Sequence, residues 1–75
     1  MPRLPRVTAK QIIRILEQLG FTHSRQSGSH RIYKNTSGKR ATVPVHDNKI
    51  LHPKIVKTIM TDAELSATEL TKLLK

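Results

Sequence analysis

Residues 21–45 read FTHSRQSGSHRIYKNTSGKRATVPV, and the placing of apolar residues in this stretch decides the fold. Residues 21–27 are rich in Thr, Ser and other polar side chains and read as a half-exposed strand. Residues 30–34, centred on Ile32 and Tyr33, read as a second strand. Asn35-Thr36-Ser37-Gly38 is a turn cluster, with Gly38 suited to a left-handed backbone position. Residues 40–45 give a third strand, in which Ala41, Val43 and Val45 share one face and Arg40 and Thr42 the other. Pro44 ends it. Links this short predict an antiparallel meander of three strands, with one face packed on helices and the other wet.

Upstream lies a well-marked helix. Thr8 is a good N-cap, Gln11 three residues on completes a capping box, and Val7 and Ile12 stand where a hydrophobic staple would. Ile12, Ile13, Leu16 and Leu19 recur at helical spacing, with Ile15 widening the stripe to one side and Lys10, Arg14, Glu17 and Gln18 left exposed. Gly20 fits the C′ position and Phe21 can fold back on the helix end, so a helix is predicted over 9–19. Residues 1–6 read as a basic, proline-interrupted arm, expected to be mobile. Downstream, residues 45–49 are a loop and Pro53 opens a second helix. That helix would send Ile55, Val56, Ile59 and Met60 to the core, until Thr61-Asp62 breaks the pattern. Ser66 and Glu69 form a second capping box with Leu65 and Leu70 as its staple, predicting a last helix over 67–74 that buries Leu70, Leu73 and Leu74. The order is helix, three strands, helix, short helix. It implies one α+β domain over residues 1–75, laid out like a double-stranded RNA-binding domain.

The formal charge is +9 and the pI near 10.8, and no acidic side chain occurs from Gln18 to His46. Charge of this size points to a polyanion or an acidic protein as partner. Nucleic acid is favoured over a membrane surface, since much of the charge lies in the strands and not opposite a bulky apolar helix face. Phe21 and Tyr33 are the chain's aromatic residues. So few stacking platforms favour recognition of backbone and shape over base-by-base reading. With no Cys there is no disulfide and no Cys-based zinc site. No apolar run is long enough to span a bilayer, and the start lacks the apolar segment of a signal peptide, so a cytoplasmic protein is expected. The four histidines do not fall at i, i+4 on a predicted helix, and no carboxylate stands near His30 in the sequence. Neither a metal nor another cofactor is expected.

Between the first two strands sits Gln26-Ser27-Gly28-Ser29-His30. Gly28 permits a tight turn, and Ser29 offers a hydroxyl. Histidine is the side chain whose ordinary pKa, about 6.5, lets it exchange a proton near neutrality. Arg25 and Arg31 flank it. Parity leaves the direction of His30 open: in an ideal strand it shares a face with Ile32, the expected core residue, while a bend at Gly28 would expose the imidazole.

Three segments in this order resemble a known family: Leu19-Gly20-Phe21 closing the first helix, Gly28-Ser29-His30 before Ile32-Tyr33, and Val43-Pro44-Val45-His46. Over roughly residues 8–62 the chain resembles the HicA toxins, the messenger-RNA-cleaving partners in HicA–HicB toxin–antitoxin pairs. The resemblance implies a fold like that of double-stranded RNA-binding domains, endoribonuclease activity on mRNA, a catalytic histidine at His30 and inhibition by a HicB-like antitoxin. Where the family commonly has a glycine near the start of the second main helix, this chain reads Leu51-His52-Pro53.

The chemistry is compatible. RNA carries its own nucleophile, the 2′-OH; cleavage requires its deprotonation, stabilisation of the phosphorane and protonation of the leaving 5′-oxygen. A histidine can serve as base or acid, each role contributing roughly 10²–10⁴-fold, and the residues do not choose between them. Arg25, Arg31, Lys34 and Arg40 are candidates to stabilise the phosphate charge or bind RNA. Gly28 and Ser29 are candidates to shape the site. His46, in the loop after Pro44, is a candidate to support it. His23 and His52 read as ordinary surface residues, and a surface histidine in a turn is the plainer alternative for His30 itself. Two other functions compete. A non-catalytic double-stranded RNA-binding module would need the cations and not His30. A helix-turn-helix over residues 53–74 would read DNA through Thr68, Thr71, Lys72 and Lys75, a set poor in base-reading side chains.

Overall fold

Thr8 starts the first helix by the predicted device. Its hydroxyl accepts from the Gln11 N–H at 3.3 Å, while the Gln11 side chain accepts from the Thr8 N–H at 2.8 Å. Helix α1 (Ala9–Gln18) follows. It ends in a Schellman turn: the Phe21 N–H reaches the Leu16 carbonyl at 2.9 Å and the Gly20 N–H that of Glu17 at 3.1 Å. Gly20 takes φ +94° there, which only glycine adopts without a Cβ penalty. The computed structural model describes residues 5–46 and 49–74. Most of the expected arm, residues 1–4, and Asp47 and Asn48 of the expected loop lie outside them.

The sheet is the predicted meander, in the order β1 (Thr22–Ser27), β2 (His30–Lys34), β3 (Arg40–Pro44), antiparallel throughout. Then come α2 (Pro53–Ala63) and α3 (Ala67–Leu73). The architecture is therefore α+β, as expected. Beyond β3, a Val45 N–H to Ser29 carbonyl bond of 2.6 Å carries the pairing one residue further. An isolated bridge, Thr8 to Ile50, with the Leu51 N–H on the Val7 carbonyl at 2.7 Å, ties the approach to α1 to the approach to α2.

The core is mainly aliphatic, with Phe21 and Tyr33 as its aromatic members. Val7, Ala9, Ile12, Ile15 and Leu16 come from the first helix and its approach, Tyr33, Ala41 and Val43 from the sheet, and Val56, Ile59, Met60, Ala63, Leu65 and Leu70 from the C-terminal third. Both predicted staples are buried within it, Val7 with Ile12 and Leu65 with Leu70. Among the described residues no polar or charged residue is buried.

Several expectations need correcting. Tyr33, not Ile32, is the core residue of β2: it pairs with buried Ala41, whereas Ile32 pairs with exposed Thr42 and is only half-buried. The larger ring fills the space over Ala41 and meets His23 edge-on at 5.6 Å. In α1 the buried stripe centres on Ile12, Ile15 and Leu16, and Ile13 and Leu19 are half-buried at its margin. Thr61 and Asp62 do not break α2. Both sit on its exposed face, and the Thr61 hydroxyl donates back to the Lys57 carbonyl at 2.9 Å. Ile55 is 37% exposed and does not enter the core. Leu73 and Leu74 are half-buried, and Leu70 alone of the three is fully enclosed. His52 lies on the surface, as expected, but has a local role there: it is the N-cap of α2, its Nδ1 accepting from the Lys54 N–H at 3.1 Å.

Candidate functional site

A two-residue turn sets the position of His30. Ser27 pairs with His30 across it, and Gly28 takes φ +58° while Ser29 does not. A positive φ at the first central position alone matches a type II′ turn, whose twist suits a hairpin. The Gln26 side-chain amide donates to the Gly28 carbonyl at 3.0 Å and braces the turn. His30 is thus the first residue of β2, held on both sides, opposite Ser27 in β1 and Pro44 in β3.

Pairing fixes which way it faces. Directly opposed residues share a sheet face, and neighbours along a strand alternate. Tyr33, Ala41 and Val43 face the core, so His30, Ile32 and Lys34 face outward, together with Arg25 and Ser27 of β1 and Arg40, Thr42 and Pro44 of β3. The β1–β2 register shifts between His23 and Arg25. That bulge is what lets His23 lie over Tyr33 on one face while Arg25 joins His30 on the other.

His30 lies in a groove of about 460 Å³ between the outward sheet face and α2, lined also by Thr42, Pro44, His46, Lys54 and Ile55. His46 and Lys54 are exposed, as is His30. Four element ends converge at this edge of the molecule: β2 begins here, β3 ends here, and α1 and α2 both begin here. The first turns of α1 and α2 contain no acidic side chain, so nothing offsets the positive ends of the two helix dipoles, which add to the potential of the cations. Among the described residues no three His, Asp or Glu side chains gather where they could hold a metal ion.

The candidates predicted from sequence divide by position. His30 and His46 share the groove. Arg25 lies on the same face, two residues along the ladder from the Ser27–His30 pair, about 7 Å at strand rise. Lys34 and Arg40 oppose each other at the far end of that face, about 13 Å from His30 along the strand. They are too distant to share its phosphate. Arg31 points to the other face, opposite buried Val43, and does not join His30. Gly28 and Ser29 form the turn; no hydrogen bond from the Ser29 hydroxyl to the imidazole is present, so the ladder and not Ser29 positions His30. Lys54 was not foreseen. Its only signal in the sequence is a lysine in the first turn after a helix-opening proline, and its approach to His30 depends on how α2 lies along β3.

A protein-family model described as HicA toxin of bacterial toxin-antitoxin matches residues 9–65. The match runs from the first residue of α1 through the sheet and α2, and so takes in the whole groove. No curated protein matches the chain. With its fold, its Gly-Ser-His turn and most of its length in that match, the chain belongs to the HicA family and is the toxin component of a bacterial toxin–antitoxin system.

Proposed function

We propose that this toxin is an endoribonuclease that cleaves mRNA without a metal, using His30 as its proton-transfer residue. One observation carries the reading: His30 stands exposed in a groove with His46 and Lys54, on a sheet face whose charged side chains are all cationic. The 2′-OH supplies the nucleophile. As the 2′-oxygen bonds to phosphorus and the P–O5′ bond breaks, His30 either takes the 2′-OH proton or gives one to the leaving 5′-oxygen, and solvent water completes the other transfer. Lys54, with Arg25 reaching along the face, offsets the charge that builds on the phosphorane. Lys34 and Arg40, at the far end, hold neighbouring phosphates of the strand. His46 supports the same groove from the exit of β3.

A HicB-like antitoxin is the partner the family implies. The +9 charge attracts an acidic protein, and one that covers this edge of the molecule blocks His30. Acting on mRNA, the toxin works in the cytoplasm. Among the described residues no helix is long and apolar enough to cross a membrane.

Induction in a bacterial host tests the reading. The native chain is expected to arrest growth and deplete mRNA, the His30→Ala chain to do neither, and a co-expressed HicB-like antitoxin to restore growth. Arrest and mRNA loss undiminished by His30→Ala would remove His30 from the mechanism. RNA binding with no cleavage by either chain would favour a non-catalytic RNA-binding module.

A further inference from the structure

On the far side of His46 lies a second pocket, of about 310 Å³, walled by Thr8, Lys10, Arg31, Val45 and His46. The turn and the ladder that expose His30 also send the next residue, Arg31, to the opposite face. There its stem lies against the edge of the core beside Val43, and the residue is half-buried. Long basic side chains lie along apolar surface in this way while keeping the charged head accessible. Lys10, exposed in the first turn of α1, faces the same space. No carboxylate lines this pocket among the described residues.

We infer that this pocket is a second phosphate subsite for the RNA strand, with Arg31 as the principal ligand and Lys10 as the supporting charge. The inference rests on the ribonuclease reading for the identity of the ligand. A guanidinium presents paired donors that match two phosphate oxygens, and its weaker hydration makes it the better phosphate ligand at a half-buried position than an ammonium. An acidic side chain of a protein partner would satisfy the same charges. Continuity favours RNA: His46 belongs both to this pocket and to the groove at His30. A strand whose scissile phosphate lies at His30 passes over His46 and reaches Arg31 with a later phosphate. Arg31 then acts in binding and register and not in the chemical step.

The test measures binding of 2′-O-methyl RNA, which cannot be cleaved, by fluorescence anisotropy. A dinucleotide and a hexanucleotide are compared on the native chain and on Arg31→Gln, Arg31→Lys and Lys10→Gln, with circular dichroism to check folding. The native chain is expected to prefer the longer strand. Arg31→Gln should shrink that preference roughly tenfold, as expected for losing a charge-assisted contact. Arg31→Lys should restore part of it. Lys10→Gln, a change at an exposed position, should shrink it less. An unchanged preference in folded Arg31→Gln and Lys10→Gln would overturn the proposal. So would unchanged RNA binding with weakened antitoxin binding, which would give the pocket to the protein partner. Because no cleavage is measured, the subsite can fail while His30 remains catalytic, and it can hold if His30 is not.

Discussion

His30 faces solvent because Tyr33, an odd number of positions along β2, is turned into the core. A buried ring over Ala41 therefore fixes the direction of an imidazole at the other end of the strand. Lys54 is the cation that α2 contributes to the same groove. Lys54→Gln is expected to slow single-turnover RNA cleavage by at least about tenfold, short of the roughly 10²–10³-fold that losing a buried charge-stabilising donor costs, because Lys54 is exposed to water. An unchanged rate would exclude it from charge stabilisation. At this scale the sequence made the chemistry legible and the geometry only in part. The Gly-Ser-His turn, with cations around it, marked His30. Alternation could not say whether Ile32 or Tyr33 filled the core, since both are large and apolar and they are adjacent. Arg31 is grouped with His30 by adjacency in the sequence, whereas along a strand adjacent residues go to opposite faces. Lys54 was missed because no local pattern reports the approach of two elements that are distant in the chain.

The elements were more legible than the residues, because their ends carry local devices that depend little on tertiary packing. Thr8 with Gln11, and Ser66 with Glu69, both form complete capping boxes. Gly20 closes α1 in the turn its position announced. Gly20→Ala is expected to cost about 1 kcal/mol or more, because alanine is strained at positive φ. That corresponds to a melting temperature lower by roughly 4–8 °C for a domain of this size. An unchanged melting temperature would mean that the turn is not required to end the helix. The end of α2 was the least legible. Thr61 and Asp62 are weak helix formers, but buried Met60 and Ala63 on either side hold the helix through them. It stops instead at Glu64, which takes φ +54° and pairs with Lys39. Glu64 is exposed and Lys39 keeps about a third of its side chain in water, so that ion pair contributes little.

For the molecule as a whole, the question is whether α3, which lies beyond the family match, belongs to the fold. Leu70 is fully enclosed, in the same core as Ile12, Tyr33 and Ile59. Leu70→Ala should therefore cost about 2–5 kcal/mol and lower the urea midpoint of a single cooperative transition. A loss below about 0.5 kcal/mol would make α3 a dispensable appendage. The meeting of four element ends at one edge also belongs to this scale. The Thr8–Ile50 bridge draws the starts of α1 and α2 together, and the exit of β3 carries His46 between them. Proton transfer through His30 is the function proposed for this edge. The most direct test is single-turnover cleavage of an RNA by purified native and His30→Ala chains, both shown to be folded. His30 is exposed, so its replacement should leave stability nearly unchanged while the cleavage rate falls by roughly 10²–10⁴-fold. Equal rates in the two folded chains would contradict the account.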